Sequence, residues 1–308
     1  MYDLIIIGGG PAGISAGIYA ARKQLKTLFI TKEWGGQSIV SPDIQNWIGT
    51  PSIAGAKLAH DLEKHLETYA TDIITITPGK TATNVTKATN GSLVVTLDDG
   101  TKHTGKSLLI ASGSGRRQLD VPSADIFEHK GLTYCASCDG PMFSGQDVVV
   151  IGGGNAGFES AAQLLAYAKS VTLLHRNASF KADPVTVEKV MAHPNMTAIT
   201  NATPTEVVGD NFVSGIKYTD ADGLSHDLAI TGIFVEIGMI PNTEYVKDVV
   251  KLDEYNRIEI DPWTQKTSAL GIWAAGDCTN IRYHQNNISA GDGVKALEDI
   301  YVTLKTKS

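Results

Sequence analysis

The stretch LIIIGGGPAG at residues 4–13 decides the fold, and VVVIGGGNAG at residues 148–157 repeats it. Each is an apolar run ended by three glycines and followed by a helical pattern. A run of that kind is a strand buried on both faces. The glycines fall as Gly8-x-Gly10-x-x-Gly13 and Gly152-x-Gly154-x-x-Gly157. In such a loop the first glycine permits a tight turn, the second lets the backbone approach a pyrophosphate, and the third packs helix on strand. The helix then offers an anion its free N–H groups and the positive end of its dipole. A plain glycine turn is the competing reading. Strand before and helix after, twice in one chain, favours two nucleotide sites, and two such sites suggest electron traffic between a flavin and a nicotinamide.

Working outward, the first copy continues with a helix over 11–22 and the short strand TLFI at 27–30. Residues 33–50 read as loop, with Gly35, Gly36, Pro42 and Gly49. A helix is expected over 53–69, then strands near 81–86, 92–97 and 101–104, set apart by the hairpin signals Asn90-Gly91 and Asp99-Gly100. LLIAS at 108–112 reads as a returning buried strand. The second copy has a helix over 156–169, a strand at 171–174, further short strands around Asp222-Gly223, and GIFVEIG at 232–238. The tail, with strands at 257–261 and 272–275 and a helix over 290–304, has no third fingerprint. The expected fold is α/β: two Rossmann-like nucleotide-binding domains of three-layer ββα form, one inserted in the other. The outer, discontinuous domain spans 1–112 plus 243–308. The inner, inserted domain spans 115–242, with hinges at Gly113-Ser114-Gly115 and Pro241-Asn242.

Composition sets outer bounds. With 42% hydrophobic and 19% charged residues over 308 positions, the chain can bury a core and is not disordered. A formal net charge of −7 without a long basic run argues against nucleic acid or an anionic membrane surface as partner. No apolar stretch approaches the roughly 20 residues of a membrane helix. YDLIII follows Met1 with no basic leader, so the expected compartment is the cytoplasm. Glycine is over-represented, with 31 residues, and the fingerprints account for part of that excess.

CASCDG at 135–140 is the second anchor. Cys135 and Cys138 have the C-x-x-C spacing of a reversible dithiol with a lowered thiol pKa. Zinc is a poor alternative, because a structural site wants four ligands and the third cysteine, Cys278, is distant in sequence. Asp139 follows the pair and could carry a proton to or from a leaving thiolate. Alternatively it is an acid placed at a helix N-terminus.

The second strands should show which ribose is read. Glu33 lies about 20 residues past the first glycines, where an acid can bond a ribose hydroxyl; a solvated loop acid is the alternative. The matching place in the second copy is His175-Arg176, with Lys181 nearby and no acid. Basic residues there favour a 2′-phosphate, hence NADPH over NADH, unless the loop is merely solvated. AAGDCT at 274–279 places Gly276-Asp277 at a strand end, where a carboxylate can bond a cofactor's hydroxyls or simply close a turn. Cys278 reads as a small buried residue.

GGGPAG, GGQ at 35–37, NWIG at 46–49, CASCDG, GGGNAG and AAGDC occur in the order that resembles the low-molecular-weight thioredoxin reductases, over essentially the whole chain. The dithiol lies between the two glycine motifs, inside the nicotinamide domain, rather than near the N-terminus as in the glutathione-reductase type. The resemblance implies FAD held by Gly8, Gly10, Gly13, Gly36, Gln37, Asn46 and Asp277, with Gln285 in the same set, and NAD(P)H held by Gly152, Gly154, Gly157, Arg176 and Lys181. It implies a homodimer, rotation of one domain against the other, and electron flow from NAD(P)H through FAD and the Cys135–Cys138 disulfide to thioredoxin or a thioredoxin-like protein. Cys138 would face the flavin, Cys135 the partner, and Asp139 would be the acid–base group.

Departures from the family pattern are informative. HRNASFK stands where a second arginine and a later one are usual, so Asn177 and Lys181 replace them. Gly157 replaces the usual alanine, and His284-Gln285-Asn286 replaces Arg-Gln-Ala. Gly157, MIPN at 239–242 and GDCT resemble the flavoprotein of alkyl hydroperoxide reductase, an NADH-linked relative with an additional N-terminal dithiol domain. With the chain opening at the first fingerprint strand, no such domain is expected, and a separate thioredoxin-like protein is the expected partner. The alternatives are an NADH-linked reductase of a peroxiredoxin system working through a glutaredoxin-like carrier, a slow flavin redox sensor or electron-transfer subunit, and a ferredoxin-linked flavin reductase.

Overall fold

The computed structural model describes residues 1–41 and 43–306; Pro42, placed in a loop above, lies outside the described residues. The chain divides into two compact units, Met1–Gly115 with Ile240–Ser308, and Arg116–Met239.

The first unit opens with β1 (Tyr2–Gly9), α1 (Pro11–Arg22) and β2 (Thr27–Trp34). It continues through α2 (Gly55–Ala70), β3 (Ile74–Pro78), β4 (Ala82–Lys87), β5 (Leu93–Leu97) and β6 (Lys102–Ile110). The strand order is β3-β2-β1-β6-β5-β4. β1 lies parallel to both β2 and β6, so the strands fan out on opposite sides of the first glycine loop. Strand alternation assigns the two faces. Leu4, Ile6 and Phe29 pack with α1, while Ile5, Ile7, Leu28 and Ile30 pack on the side of the β4–β5 hairpin. Leu4, Ile5 and Ile6 are 0% exposed, a burial worth about 1.5–3 kcal/mol for each side chain. The strands expected at 101–104 and 108–112 are one strand, β6. Its first half pairs antiparallel with β5 and its second half parallel with β1, so no turn is needed between them.

The chain leaves through β7 (Ser114–Arg116) and enters the second unit. There follow β8 (Leu132–Thr133), the one-turn helix α3 (Ala136–Asp139), β9 (Asp147–Ile151), α4 (Asn155–Leu164), β10 (Ser170–His175), α5 (Pro184–Met191) and β11 (Met196–Thr200). The antiparallel strands β12 (Thr203–Gly209), β13 (Val213–Thr219) and β14 (Ser225–Ala229) come next, then β15 (Gly232–Val235). The parallel sheet runs β11-β10-β9-β15-β8. Val148 and Val150 pack beneath α4 with Phe158 and Leu164; Val149 and Ile151 pack against Val207, Val213 and Ile216 of the antiparallel sheet. Helix layer, parallel sheet and antiparallel layer make the three-layer ββα arrangement of a Rossmann-type α/β fold.

The return is through β16 (Met239–Pro241), followed by β17 (Ile272–Ala274), parallel to β6, and α6 (Asn286–Thr306). Residues 257–261 form isolated bridges at Ile258 and Ile260 instead of the expected strand. β3, α5 and β11 are additional to the elements expected from sequence; each is short and weakly patterned. Among the described residues, no helix is long and apolar enough to cross a membrane.

Candidate functional site

Cys135 and Cys138 form a disulfide, with Cα atoms 5.3 Å apart. Cys135 is the N-cap of α3, and its Sγ accepts a hydrogen bond from the Cys138 N–H at 3.2 Å. Ala136 anchors the turn in the core beneath α4, whereas Cys135 and Cys138 keep partial exposure. Asp139 closes the turn through its backbone, its N–H donating to the Cys135 carbonyl at 3.0 Å. Its carboxylate reaches back to β8, where the Thr133 hydroxyl donates to Oδ2, and caps no helix N–H. Oδ1 is buried with no hydrogen-bond partner among the described residues. Burial pushes the Asp139 carboxyl above its ordinary range; the Thr133 hydroxyl and the nearby His129 pull it part of the way back.

The second glycine loop joins β9 to α4. Gly152 has φ +125°, and a Cβ there would meet the Glu236 carbonyl oxygen, so glycine is required. A Cβ on Gly157 would strike the Gly152 carbonyl oxygen, which is why α4 can close on β9. Nothing lies within 4 Å of a Cβ on Gly154, and no side chain caps α4. The basic segment is fastened to this loop. The Lys181 N–H donates to the Gly153 carbonyl at 2.8 Å and the Asp183 N–H to Asn155 Oδ1 at 2.8 Å. His175, read from sequence with the basic group, is buried and structural: Nδ1 accepts from the Gly153 N–H at 3.1 Å and Nε2 lies 2.9 Å from the Ser179 carbonyl. That pattern selects the neutral ring with its proton on Nε2. The Arg176 and Lys181 side chains are exposed.

The first glycine loop repeats the plan. Gly8 has φ +123° and abuts the Ala111 carbonyl at the end of β6, and Gly13 packs on the Gly8 carbonyl. Gly10 is the uncapped N-terminus of α1 with open space above it, and a Cβ on Gly36 would meet the Gly10 Cα at 3.6 Å. Glu33 sits near the end of β2, its side chain exposed and its carbonyl beside Gly9. A Cβ on Gly276, after β17, would meet the Ala12 Cβ at 3.3 Å, which places Asp277 near the first glycine loop; Asp277 Oδ1 lies 3.2 Å from Ser289 Oγ and 3.4 Å from His284 Nδ1. Gln37 Nε2 donates to Ser114 Oγ at 3.1 Å. Asn46 donates to Gln285 Oε1 at 3.2 Å, so those two form a pair beside the start of α6. The candidate residues thus fall into two groups, one per unit, with the dithiol in the second.

The family model for pyridine nucleotide-disulphide oxidoreductase matches residues 2–291. The chain belongs to this family. Among solved structures, this oxidoreductase is similar to thioredoxin reductase from Streptococcus pyogenes, with 32% identity, a TM-score of 0.89 and 99% of each chain covered. Among curated proteins, it is 41% identical over 296 residues to a subunit of the alkyl hydroperoxide reductase of Staphylococcus aureus, covering 96% of this chain and 57% of that protein. It is 38% identical to an NADH dehydrogenase of Ferdinandcohnia aciditolerans, covering 96% and 56%. The chain therefore spans little more than half the length of these two relatives. The oxidoreductase is thioredoxin-reductase-like in both sequence family and fold.

The family implies a flavin and a nicotinamide nucleotide, and the residues present fit them. Two α-helices begin without a side-chain cap, behind glycines whose Cβ positions are open, which is what a phosphate needs from a loop. Three polar features were missed by sequence reading. Glu236 follows β15 with a largely covered side chain; its partners Ser160 and Arg116 are 76 and 120 residues away in sequence, beyond any local signal. Gln265 and Asp292 pair in the core of the oxidoreductase's first unit at 3.2 Å. The staple role of His175 was hidden by its basic neighbours. Cys278 is fully buried, its thiol pushed up to about 11 by desolvation, and it is free. Among the described residues, no cluster of three or more His, Cys, Asp or Glu side chains could hold a metal ion.

Proposed function

We propose that this oxidoreductase is an NADPH-dependent reductase of the disulfide of thioredoxin or a thioredoxin-like protein, acting as a cytoplasmic homodimer. The observation that carries the proposal is the Cys135–Cys138 disulfide on a one-turn helix, in the same unit as an uncapped glycine fingerprint. Gly8, Gly10, Gly13, Glu33, Gly36, Gln37, Asn46, Asp277 and Gln285 would hold FAD; Gly152, Gly154, Gly157, Arg176 and Lys181 would hold the nicotinamide nucleotide. When bound, these two cofactors supply the electron pair that opens the disulfide.

Opening takes two electrons and two protons and leaves two thiols. The Cys138 N–H aimed at Cys135 Sγ stabilises a thiolate there, so Cys135 is the attacking sulfur. Its Sγ bonds to one sulfur of the partner disulfide, the partner S–S bond breaks, and the leaving thiolate takes a proton. Asp139, whose carboxyl burial pushes toward the protonated form, would supply it. Cys138 Sγ then attacks Cys135 Sγ, re-forms the internal disulfide and releases the second partner thiol.

Arg176 and Lys181 beyond β10, with no acid among them, support NADPH. The 41% identity to an alkyl hydroperoxide reductase component supports a second reading, an NADH-linked reductase serving a peroxiredoxin system. Anaerobic titration of the flavin-loaded protein with NADPH and with NADH, followed by flavin bleaching, separates them. Bleaching at lower NADPH concentration is expected; bleaching by neither would overturn both.

A further inference from the structure

We infer that Glu236 binds and orients the nicotinamide half of the dinucleotide, its carboxylate accepting hydrogen bonds from donors on that half. This rests on reading the second glycine loop as a nicotinamide-nucleotide site and adds a residue that the fingerprint does not contain.

Strand order comes first. From β9 the chain proceeds to β10 and β11 on one side, while β15 and β8 lie on the other. The order therefore reverses between β9 and β15, and a ligand of such a sheet binds in the crevice outside the carboxyl ends of those two strands. Val235 pairs with Ile151, the Glu236 N–H donates to the Ile151 carbonyl at 2.8 Å, and the Glu236 carbonyl sits where a Cβ on Gly152 would be. Glu236 is thus the residue that faces the turn of the glycine loop from across the crevice. Pyrophosphate at the start of α4 and an adenosine directed to the end of β10 leave the β15 side for the other half of the ligand.

The side chain is built for a ligand rather than for solvent. It is 8% exposed. Ser160, on α4, donates to Oε1 at 2.6 Å and fixes the carboxylate's direction. The Arg116 guanidinium lies 3.9 Å from Oε2, an ion-pair distance too long for a hydrogen bond. Burial and the neighbouring Glu159 both disfavour its charge. A largely buried carboxylate at a ligand crevice, with one oxygen already fixed by Ser160, accepts further hydrogen bonds from the donors of a ligand. On the nicotinamide half the donors are the ribose hydroxyls and the carboxamide N–H.

The test measures calorimetric affinities of the flavin-loaded protein for NADP⁺, for 2′-phospho-ADP-ribose, which lacks the nicotinamide, and for 2′,5′-ADP, which lacks that ribose as well. If the wild type prefers NAD⁺, the unphosphorylated series replaces them. Glu236→Gln keeps size and the Ser160 bond but turns an acceptor into a donor. It is expected to weaken NADP⁺ about tenfold, as loss of a charged hydrogen bond does, and to leave 2′,5′-ADP unchanged. Weakening of 2′-phospho-ADP-ribose to the same degree assigns the ribose hydroxyls; weakening of NADP⁺ alone assigns the carboxamide. Equal weakening of all three ligands, or of none, overturns the inference. Should the Gln variant fold poorly, Ser160→Ala leaves the carboxylate in place and frees its direction; the same ranking at smaller size is expected, and a uniform or absent effect refutes it. A wild-type protein that binds none of the three overturns the underlying reading of the loop instead.

Discussion

Asp139 holds a carboxyl group where charge is disfavoured, and the sign of the consequence can be worked out. An unfolded chain ionises this acid at about pH 3.9. Burial raises the folded value, so between the two the folded protein keeps a proton that the unfolded chain has released. Its contribution to stability is complete below about pH 4 and is lost as pH rises through the folded value. Asp139→Asn cannot ionise. Its melting temperature relative to wild type should therefore be more favourable at pH 7 than at pH 4, and a difference that stays flat with pH would show that burial is not penalising the charge. The same variant should slow reduction of the partner disulfide on the order of a hundredfold, the usual scale for losing a general acid, without preventing flavin bleaching. Cys138→Ser should also leave bleaching intact but abolish turnover on thioredoxin. If that variant retained full turnover, the role given to the pair would be wrong.

At the scale of elements, the two strand–glycine–helix turns invite a paired test. Gly154 has open space where a Cβ would go and an ordinary negative φ, whereas a Cβ on Gly157 runs into the Gly152 carbonyl. Gly154→Ala should melt within about 0.5 kcal/mol of wild type while losing nucleotide affinity, because its methyl occupies ligand space and nothing else. Gly157→Ala should lose stability as well, since α4 must move off β9. Equal melting of both variants would remove the distinction between ligand-facing and packing glycines. These turns were legible because every residue that makes them lies within about ten positions. Elements fixed by distant partners were not. The Glu236 carboxylate hides in GIFVEIG, which reads simply as a strand, and Gln265 with Asp292 is a contact that no local period announces. β3, α5 and β11 escaped because five to eight residues carry too little pattern to stand out from loop.

For the molecule as a whole, the two units have separate cores, Phe29, Leu66 and Trp273 belonging to one and Phe158, Leu164 and Phe234 to the other. Scanning calorimetry should then resolve two transitions, with FAD raising one and the nicotinamide nucleotide the other. Saturation at a hundred times Kd is worth about 2.7 kcal/mol to the unit that binds. A single transition moved equally by either ligand would mean that the units unfold together. The sequence duplication and the short strands around Asp222-Gly223 made the two-copy, three-layer plan legible, but not that the antiparallel layer of the second unit stands as a sheet of its own while the hairpin of the first joins its parent sheet. The burial of Cys278 bears on how such experiments are read. Its thiol contacts the Ile110 and Ala275 carbonyls with no exposure, and a thiol pushed up to about 11 is almost entirely un-ionised at neutral pH. Alkylation of the native protein therefore counts only the other two sulfurs. The mass gained, zero adducts or two, becomes a direct gauge of the fraction of molecules carrying stored reducing equivalents, and a third adduct reports chains that have come unfolded.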